Sequence, residues 1–401
     1  MSTSAKRITA AKLGFLLMFT YMVSYITRIN YSAVIVEMVS ATGYSKSELS
    51  LALTGSFFTY GFGQVVSGWL GDRIQPRTMV FLGLVISSSM NILILFFTNP
   101  WIMAAIWCVN GFAQAFMWPP IVRLMASLLT TEEFNRATLI VSWGSSFGTI
   151  FVYLIAPVMI MISGYRAMFA FSATCGIIMM PIWLKLCPQI EAQPKVEKKE
   201  ARQGGLMNAI FNPMMFAIMF AIVIQGSLRD GIATWMPSYI SETYDLGNRI
   251  SILTGVILPI FALVCLNIVE PIHERWIKNP LFFAGIIFGV GAASAGLLLM
   301  VTGKYTILSI VSMALLSGCM HGVNLMLICI LPGYFIKSGC VSLVSGILNA
   351  CTYIGSAIST YGIAVLTENT GWKVTIGVWL GISALGAALC LICTPSWRRR
   401  F

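Results

Sequence analysis

Two arginines stand in stretches that are otherwise almost wholly apolar. Arg28 lies in SYITRINYSA, residues 24–33, and its nearest charged neighbours along the chain are Lys12 and Glu37. Arg229 lies in GSLRDGIATWMPSY, residues 226–239, 201 positions later and so half a chain away. A guanidinium at bilayer depth costs at least about 2.5–3.5 kcal/mol on insertion scales, so each needs a partner or a wet cavity. Neighbouring helical positions point about 100° apart, which makes Asp230 a poor partner for Arg229. Glu37 and Glu270 fall near the ends of their apolar runs. The missing counter-charge then reads as a substrate. An anion gripped by two guanidiniums gains bidentate, charge-assisted hydrogen bonds, and phosphate suits that fork. The structural alternative has Arg28 snorkelling or bonding backbone carbonyls, and Arg229 packing or gating.

The elements that must hold these arginines are membrane helices. Of 401 residues, 58% are apolar and only 10% charged, with 35 glycines and 23 methionines. That charge content cannot cover the surface of a soluble protein this long, and runs of about 20 apolar residues, enough to cross the hydrocarbon core, recur throughout. Polar breaks divide them into twelve expected helices near 12–38, 47–70, 77–98, 101–128, 136–162, 166–186, 210–240, 249–270, 279–302, 305–336, 341–367 and 372–396. No cleavable signal peptide is evident, so the first run is expected to remain as a helix. The ten cysteines mostly sit inside apolar runs and read as small packing residues.

An even number of spans puts both termini on one side. Eighteen of the 25 Lys and Arg fall on that face; Lys46, Arg166, Arg249, Lys304 and Lys373 fall on the other. The positive-inside rule makes the first face cytoplasmic. The net charge of +11 is thereby a topology signal and calls for no nucleic-acid partner. The stretch CPQIEAQPKVEKKEARQGG, residues 187–205, is rich in Pro, Lys and Glu and reads as a flexible linker. It separates an expected N-terminal six-helix bundle, 1–187, from a C-terminal one, 210–401, with the linker over 188–209. The expected fold is all-α: twelve transmembrane helices in two pseudo-symmetric six-helix bundles, the architecture of the major facilitator superfamily, with the site between the halves. Arg28 and Arg229 lie on the first helix of each half, where corresponding positions face each other.

GWLGDRIQPR, residues 68–77, carries a second constellation. Its glycines allow close helix approach, and Asp72, Arg73 and Arg77 are expected to form a charge network that locks cytoplasmic helix ends in one conformation. This G-x-x-x-D-R-x-x-x-R spacing marks the superfamily.

Four segments resemble the organophosphate:phosphate antiporters within it: YITRINYSA, GDRIQPRTMVFLGL, GFAQAFMWPPIVRLM and LRDGIATWMPSYI. The W-P-P-x-x-R from Trp118 to Arg123 is the most distinctive, and SGILNACTYIGSAIS carries Tyr353 in the family's place. The resemblance runs over essentially the whole chain. It implies a rocker-switch exchanger in which Arg28 and Arg229 bind the phosphate group, with Tyr21, Tyr25, Trp118, Trp143 and Tyr353 as cavity aromatics. It also implies a functional monomer in the cell's inner membrane. Departures from the family pattern are Ile29 and Gln64 where lysines are expected, Phe147 for a histidine, Gly226 for a tyrosine, and His321 for a tyrosine. Two cavity cations are gone, which favours a less charged or bulkier anion. His321 fits two roles, an anion ligand when protonated or a hydrogen-bonding residue between helices.

Two unpaired arginines would resist closure of a site without substrate, because closing strips water from uncompensated charge. A bound anion removes that barrier, so exchange of one anion for another, with phosphate as counter-substrate, is the leading expectation. A proton-coupled symporter of a sugar acid or other carboxylate, and a transporter-like sensor of a phosphorylated sugar, are the alternatives. No metal, cofactor or enzyme activity is expected, since HExxH and P-loop patterns are absent.

Overall fold

The computed structural model describes residues 10–71, 74–189, 212–338 and 341–400. They form twelve long helices: α1 Ala10–Thr42, α2 Lys46–Gly71, α3 Pro76–Leu93, α4 Pro100–Leu128, α5 over 131–162, α6 over 165–186, α7 Pro213–Tyr244, α8 Gly247–Arg275, α9 Pro280–Val301, α10 Thr306–Phe335, α11 over 341–370 and α12 over 372–400. Nine stretches among the described residues are long and apolar enough to span a membrane. Two of them are helix pairs joined at a glycine, and α2, 26 residues long and richer in Ser, Thr and Gly, completes the twelve.

The two joints show why glycine stands there. α5 passes to α6 through Gly164 at φ 65°, and α11 to α12 through Gly371 at φ 77°, in the left-handed region where a Cβ would be strained. The joints are 207 positions apart, close to the spacing of the two arginines. The breaks expected between 162 and 166 and between 367 and 372 fall at these glycines. α5 begins five residues earlier than its apolar run, because Thr130 and Glu133 form a reciprocal N-terminal cap.

Small residues set the helix pairs, since apolar side chains gain little by leaving lipid and close backbone contact must do the work. Gly144 and Gly148 of α5 lie against Met18, Met22 and Tyr25 of α1. In the other half, Gly226 of α7 meets the Thr352 carbonyl and Gly355 of α11 meets the Val223 carbonyl; a Cβ at either glycine would collide. Gly111 of α4 rests on Ser56 of α2, as Gly318 of α10 rests on Phe261 of α8. The pairings α1–α5 with α7–α11, and α2–α4 with α8–α10, repeat across the halves as a pseudo-twofold bundle requires.

The halves meet along α2–α11 and α5–α8. Gly61 of α2 admits Tyr353 of α11, and Gly255 of α8 lies against the Tyr153 ring of α5. One apolar core runs through both halves around Tyr31, Trp107, Phe169, Trp235, Phe288 and Trp379. A second, around Leu17, Val80, Leu124, Val141 and Trp183, belongs to the N-terminal half alone. Cys390 and Cys393 have C-x-x-C spacing, a pair the reading of cysteines as packing residues passes over; both are buried free thiols one turn apart on α12, in keeping with that role.

Candidate functional site between the halves

The site begins with a buried polar knot that anchors α1. Asn91 of α3 and Asn110 of α4 each donate a side-chain N–H to the Thr27 carbonyl oxygen, at 2.9 and 3.1 Å. Gln114 donates to the Thr27 hydroxyl at 2.9 Å, and Asn30 donates to the Asn91 side-chain oxygen at 2.6 Å. Thr27, Asn30, Asn91, Asn110 and Gln114 are all buried. In a low-dielectric bundle such amide bonds are expensive to break, so they hold the backbone next to Arg28 in one place.

From that anchored turn Arg28 reaches toward aromatic rings. Its guanidinium carbon lies 4.4 Å from the centroid of Tyr25 and 5.0 Å from that of Tyr60. Tyr21 packs on Tyr25 and on Trp118, each at 5.1 Å between centroids. Tyr60 meets Tyr353 of the other half edge-on at 4.7 Å. Four helices from both halves thus build one aromatic cradle. Ring faces attract the cation but do not neutralise it, and among the described residues Arg28 has no carboxylate partner.

Arg229 is held differently. Its Nε and Nη2 donate to the two carboxylate oxygens of Asp230, both at 2.8 Å. This corrects the sequence-based expectation that Asp230 is a poor partner for Arg229. The arginine side chain is long enough to fold back along α7, so its fork meets a carboxylate whose Cβ points elsewhere. Ser356 of α11 donates to the second Asp230 oxygen at 2.6 Å. That bond depends on the close α7–α11 contact at Gly226 and Gly355, where the family pattern has a tyrosine for Gly226. Both side chains of the pair are mostly buried, at 16% and 18% exposure.

The two arginines share their surroundings. Tyr25 and Tyr353 lie within electrostatic reach of both guanidiniums, and His321 of α10 within reach of Arg229 and Asp230. His321 Nδ1 pairs with the Ser317 carbonyl oxygen at 3.0 Å, one turn back on its own helix. Gln64 is half-buried one turn beyond Tyr60 on α2. Trp143 is 50% exposed and makes no ring contact among the described residues. Tyr60, Asp230 and Ser356 are site residues that sequence reading missed. The spacing of four between Tyr60 and Gln64 on one helix face was the available signal for the first.

Asp72 and Arg73 lie outside the described residues. Arg77 donates through Nη2 to the Leu184 carbonyl oxygen, and its own carbonyl accepts from Trp183 Nε1 at 2.8 Å, contacts that stay within the N-terminal half. Hydrogen bonds that join the halves gather instead at the end carrying the α1–α2, α7–α8 and α11–α12 connections. Lys46 pairs with Glu242 at 2.7 Å and lies 5.2 Å over Trp372, which donates to the same carboxylate at 2.9 Å. The Ser47 amide donates to Glu368 at 2.9 Å, and Asn248 donates to Glu37 at 2.8 Å.

Residues 17–360 match the family model of the Major Facilitator Superfamily. The chain belongs to that superfamily. It is 25% identical over 295 residues to the glycerol-3-phosphate transporter of Bacillus subtilis, a match covering 67% of this chain and 65% of that protein. It is 24% identical to the membrane sensor protein UhpC of Salmonella typhimurium, covering 91% and 88% of the two chains. A probable hexose phosphate transport protein of Chlamydia trachomatis is 22% identical, covering 94% and 88%. These relatives are in line with the resemblance carried by the arginine and W-P-P segments. Among solved structures, the nucleoside transporter NupG superposes with a TM-score of 0.75 at 14% identity over 95% of this chain and 98% of its own. A bacterial homolog of the human lysosomal transporter Spinster gives 0.77 at 12% identity over 96% and 97%. At such identities the likeness is one of fold. The chain is a multi-pass membrane protein of a transporter superfamily.

Proposed function

We propose that this protein carries an organophosphate, of the sugar-phosphate or glycerol-phosphate type, across the cell's inner membrane by alternating access, in exchange for another anion such as inorganic phosphate. It works as a monomer with both termini in the cytoplasm. The observation that carries this reading is Arg28: a guanidinium without a carboxylate partner among the described residues, in an aromatic cradle to which both halves contribute. The named activities of the glycerol-3-phosphate and hexose phosphate relatives support the substrate class. Closing the halves over Arg28 alone would desolvate an uncompensated charge, and a bound anion relieves this, which favours exchange over return without cargo.

Purified protein in liposomes loaded with phosphate or with a sugar phosphate should take up labelled sugar phosphate faster than liposomes loaded with neither. Equal uptake into both would overturn exchange. A second reading rests on Asp230, a carboxylate inside the site that an incoming anion would release from Arg229 to accept a proton. It makes the protein a proton-coupled organic-anion symporter, and uptake driven by an imposed pH gradient into phosphate-free liposomes separates it from the first. The likeness to membrane sensor protein UhpC supports a third role, sensing, for which binding without counterflow is the mark.

A further inference from the structure

The Arg229–Asp230 pair bears on a question the transport reading leaves open, the charge of the cargo. A guanidinium grips a phosphate group best through the edge that presents two parallel N–H bonds. On Arg229 one of the two such edges is occupied and its charge is compensated, because Nε and Nη2 each meet an Asp230 oxygen at 2.8 Å. Asp230 is not a loose competitor: Ser356 holds its second oxygen at 2.6 Å, and Ser356 sits on a helix contact that leaves no room for a Cβ. Arg28 has no such occupant among the described residues.

Among the described residues, the charged and titratable groups around the site are Arg28 on α1, Arg229 and Asp230 on α7, His321 on α10, and the phenols Tyr21, Tyr25, Tyr60 and Tyr353 on α1, α2 and α11. With the phenols and the imidazole neutral, the formal sum of two arginines and one aspartate is a single positive charge. A phosphate monoester carries between about one and a half and two negative charges at neutral pH, and a phosphodiester carries one. A buried excess of negative charge is strongly unfavourable, so a site of one net positive charge discriminates between the two.

Resting on the organophosphate reading above, we infer that Asp230 sets the specificity of this site, so that it takes its phosphorylated substrate as a singly charged anion, a phosphodiester or a monoester in its monoanionic form. Asp230 acts through Arg229, by keeping that guanidinium from offering a second full charge to the cargo. An anion entering between Arg28 and the pair meets one guanidinium that has no carboxylate partner among the described residues, in the cradle of Tyr25 and Tyr60.

Calorimetric titration of the full-length protein with glucose 6-phosphate and with its methyl phosphodiester, at pH 5.5 and at pH 8.0, tests this. The monoester passes from monoanion to dianion across that interval, because its second ionisation falls near pH 6, whereas the diester keeps its charge. The ratio of the two affinities therefore reports the ligand's charge and cancels titration of His321 and other protein groups. The ratio of monoester to diester affinity should fall about tenfold or more from pH 5.5 to 8.0. Asp230→Asn, which keeps an oxygen for Arg229 but removes the negative charge, should reverse the preference at pH 8.0. Should that variant not fold, Ser356→Ala, which loosens Asp230, should move the ratio the same way by a smaller factor. A wild-type ratio that rises with pH, or a folded Asp230→Asn protein with an unchanged ratio, overturns the inference while leaving organophosphate binding intact. Failure of both probes to bind at either pH overturns the organophosphate reading and this inference with it.

Discussion

In the N-terminal half, Arg28 looks onto the rings of Tyr25 and Tyr60 at 4.4 and 5.0 Å and meets no carboxylate among the described residues. In the C-terminal half, at the corresponding place, Arg229 gives two hydrogen bonds of 2.8 Å to Asp230. The helix pairs that support them, α1 on α5 and α7 on α11, follow one plan. What differs is the chemistry added to that plan. One half sets its cation among rings from both halves, and the other pre-empts its cation with a neighbour on the same helix. A pseudo-symmetric scaffold therefore need not give a symmetric site, and the two arginines should respond to mutation in opposite ways.

The largest expected contrast lies in removing each arginine. Arg28→Ala should abolish measurable organophosphate binding, at least a hundredfold by titration, yet leave thermal stability unchanged or raised, since no partner is orphaned. Arg229→Ala should instead destabilise the protein by about 3–5 kcal/mol, because Asp230 is left as an uncompensated buried charge. The double variant Arg229→Ala, Asp230→Ala should recover much of that loss in thermal unfolding. Equal destabilisation by the two single variants would erase the distinction drawn here.

A smaller effect sharpens the account of the cradle. Tyr60→Leu removes a ring face from Arg28, worth about 0.5–2 kcal/mol, whereas Tyr60→Phe keeps it. Substrate affinity should fall between about twofold and thirtyfold in the first and stay near wild type in the second. Smaller again is the contribution of the Lys46–Glu242 bridge, since Glu242 is 39% exposed and such pairs are worth about 0–1 kcal/mol. Glu242→Gln should shift the population with the halves joined at that end by no more than about fivefold, read as a change in the spin-label distance distribution between cysteines introduced at the exposed positions Ala41 and Arg249. Trp143→Ala should do least, within about twofold in affinity, because an exposed side chain without a ring contact among the described residues changes energies by about 0.5 kcal/mol or less. A large loss there would return Trp143 to the site.

Much of this was legible in the chain. Apolar runs with polar breaks located the helices to within a few residues, and the glycines between 162 and 166 and between 367 and 372 marked the two tight joints, because local hydropathy and backbone strain are properties of short segments. Arg28, Tyr21, Tyr25, Trp118 and Tyr353 were expected as site residues from their types and the family resemblance, and the structure packs them in one cradle. Tyr60 escaped notice since a tyrosine on a half-polar helix gives no signal until its face is known. Asp230 was set aside on helical geometry alone, which treats side chains as fixed spokes and ignores how far an arginine folds back.

Sequence by itself settled that the chain crosses a membrane repeatedly and that two arginines stand half a chain apart in apolar surroundings, for these follow from residue types and their order. Tertiary structure decided which arginine is free. That choice turns on Ser356 arriving from α11, 126 positions from Asp230, across a contact so close that only glycine fits. Charge compensation inside a membrane depends on ångström-scale distances between side chains of different helices, and those distances exist only once the helices have packed.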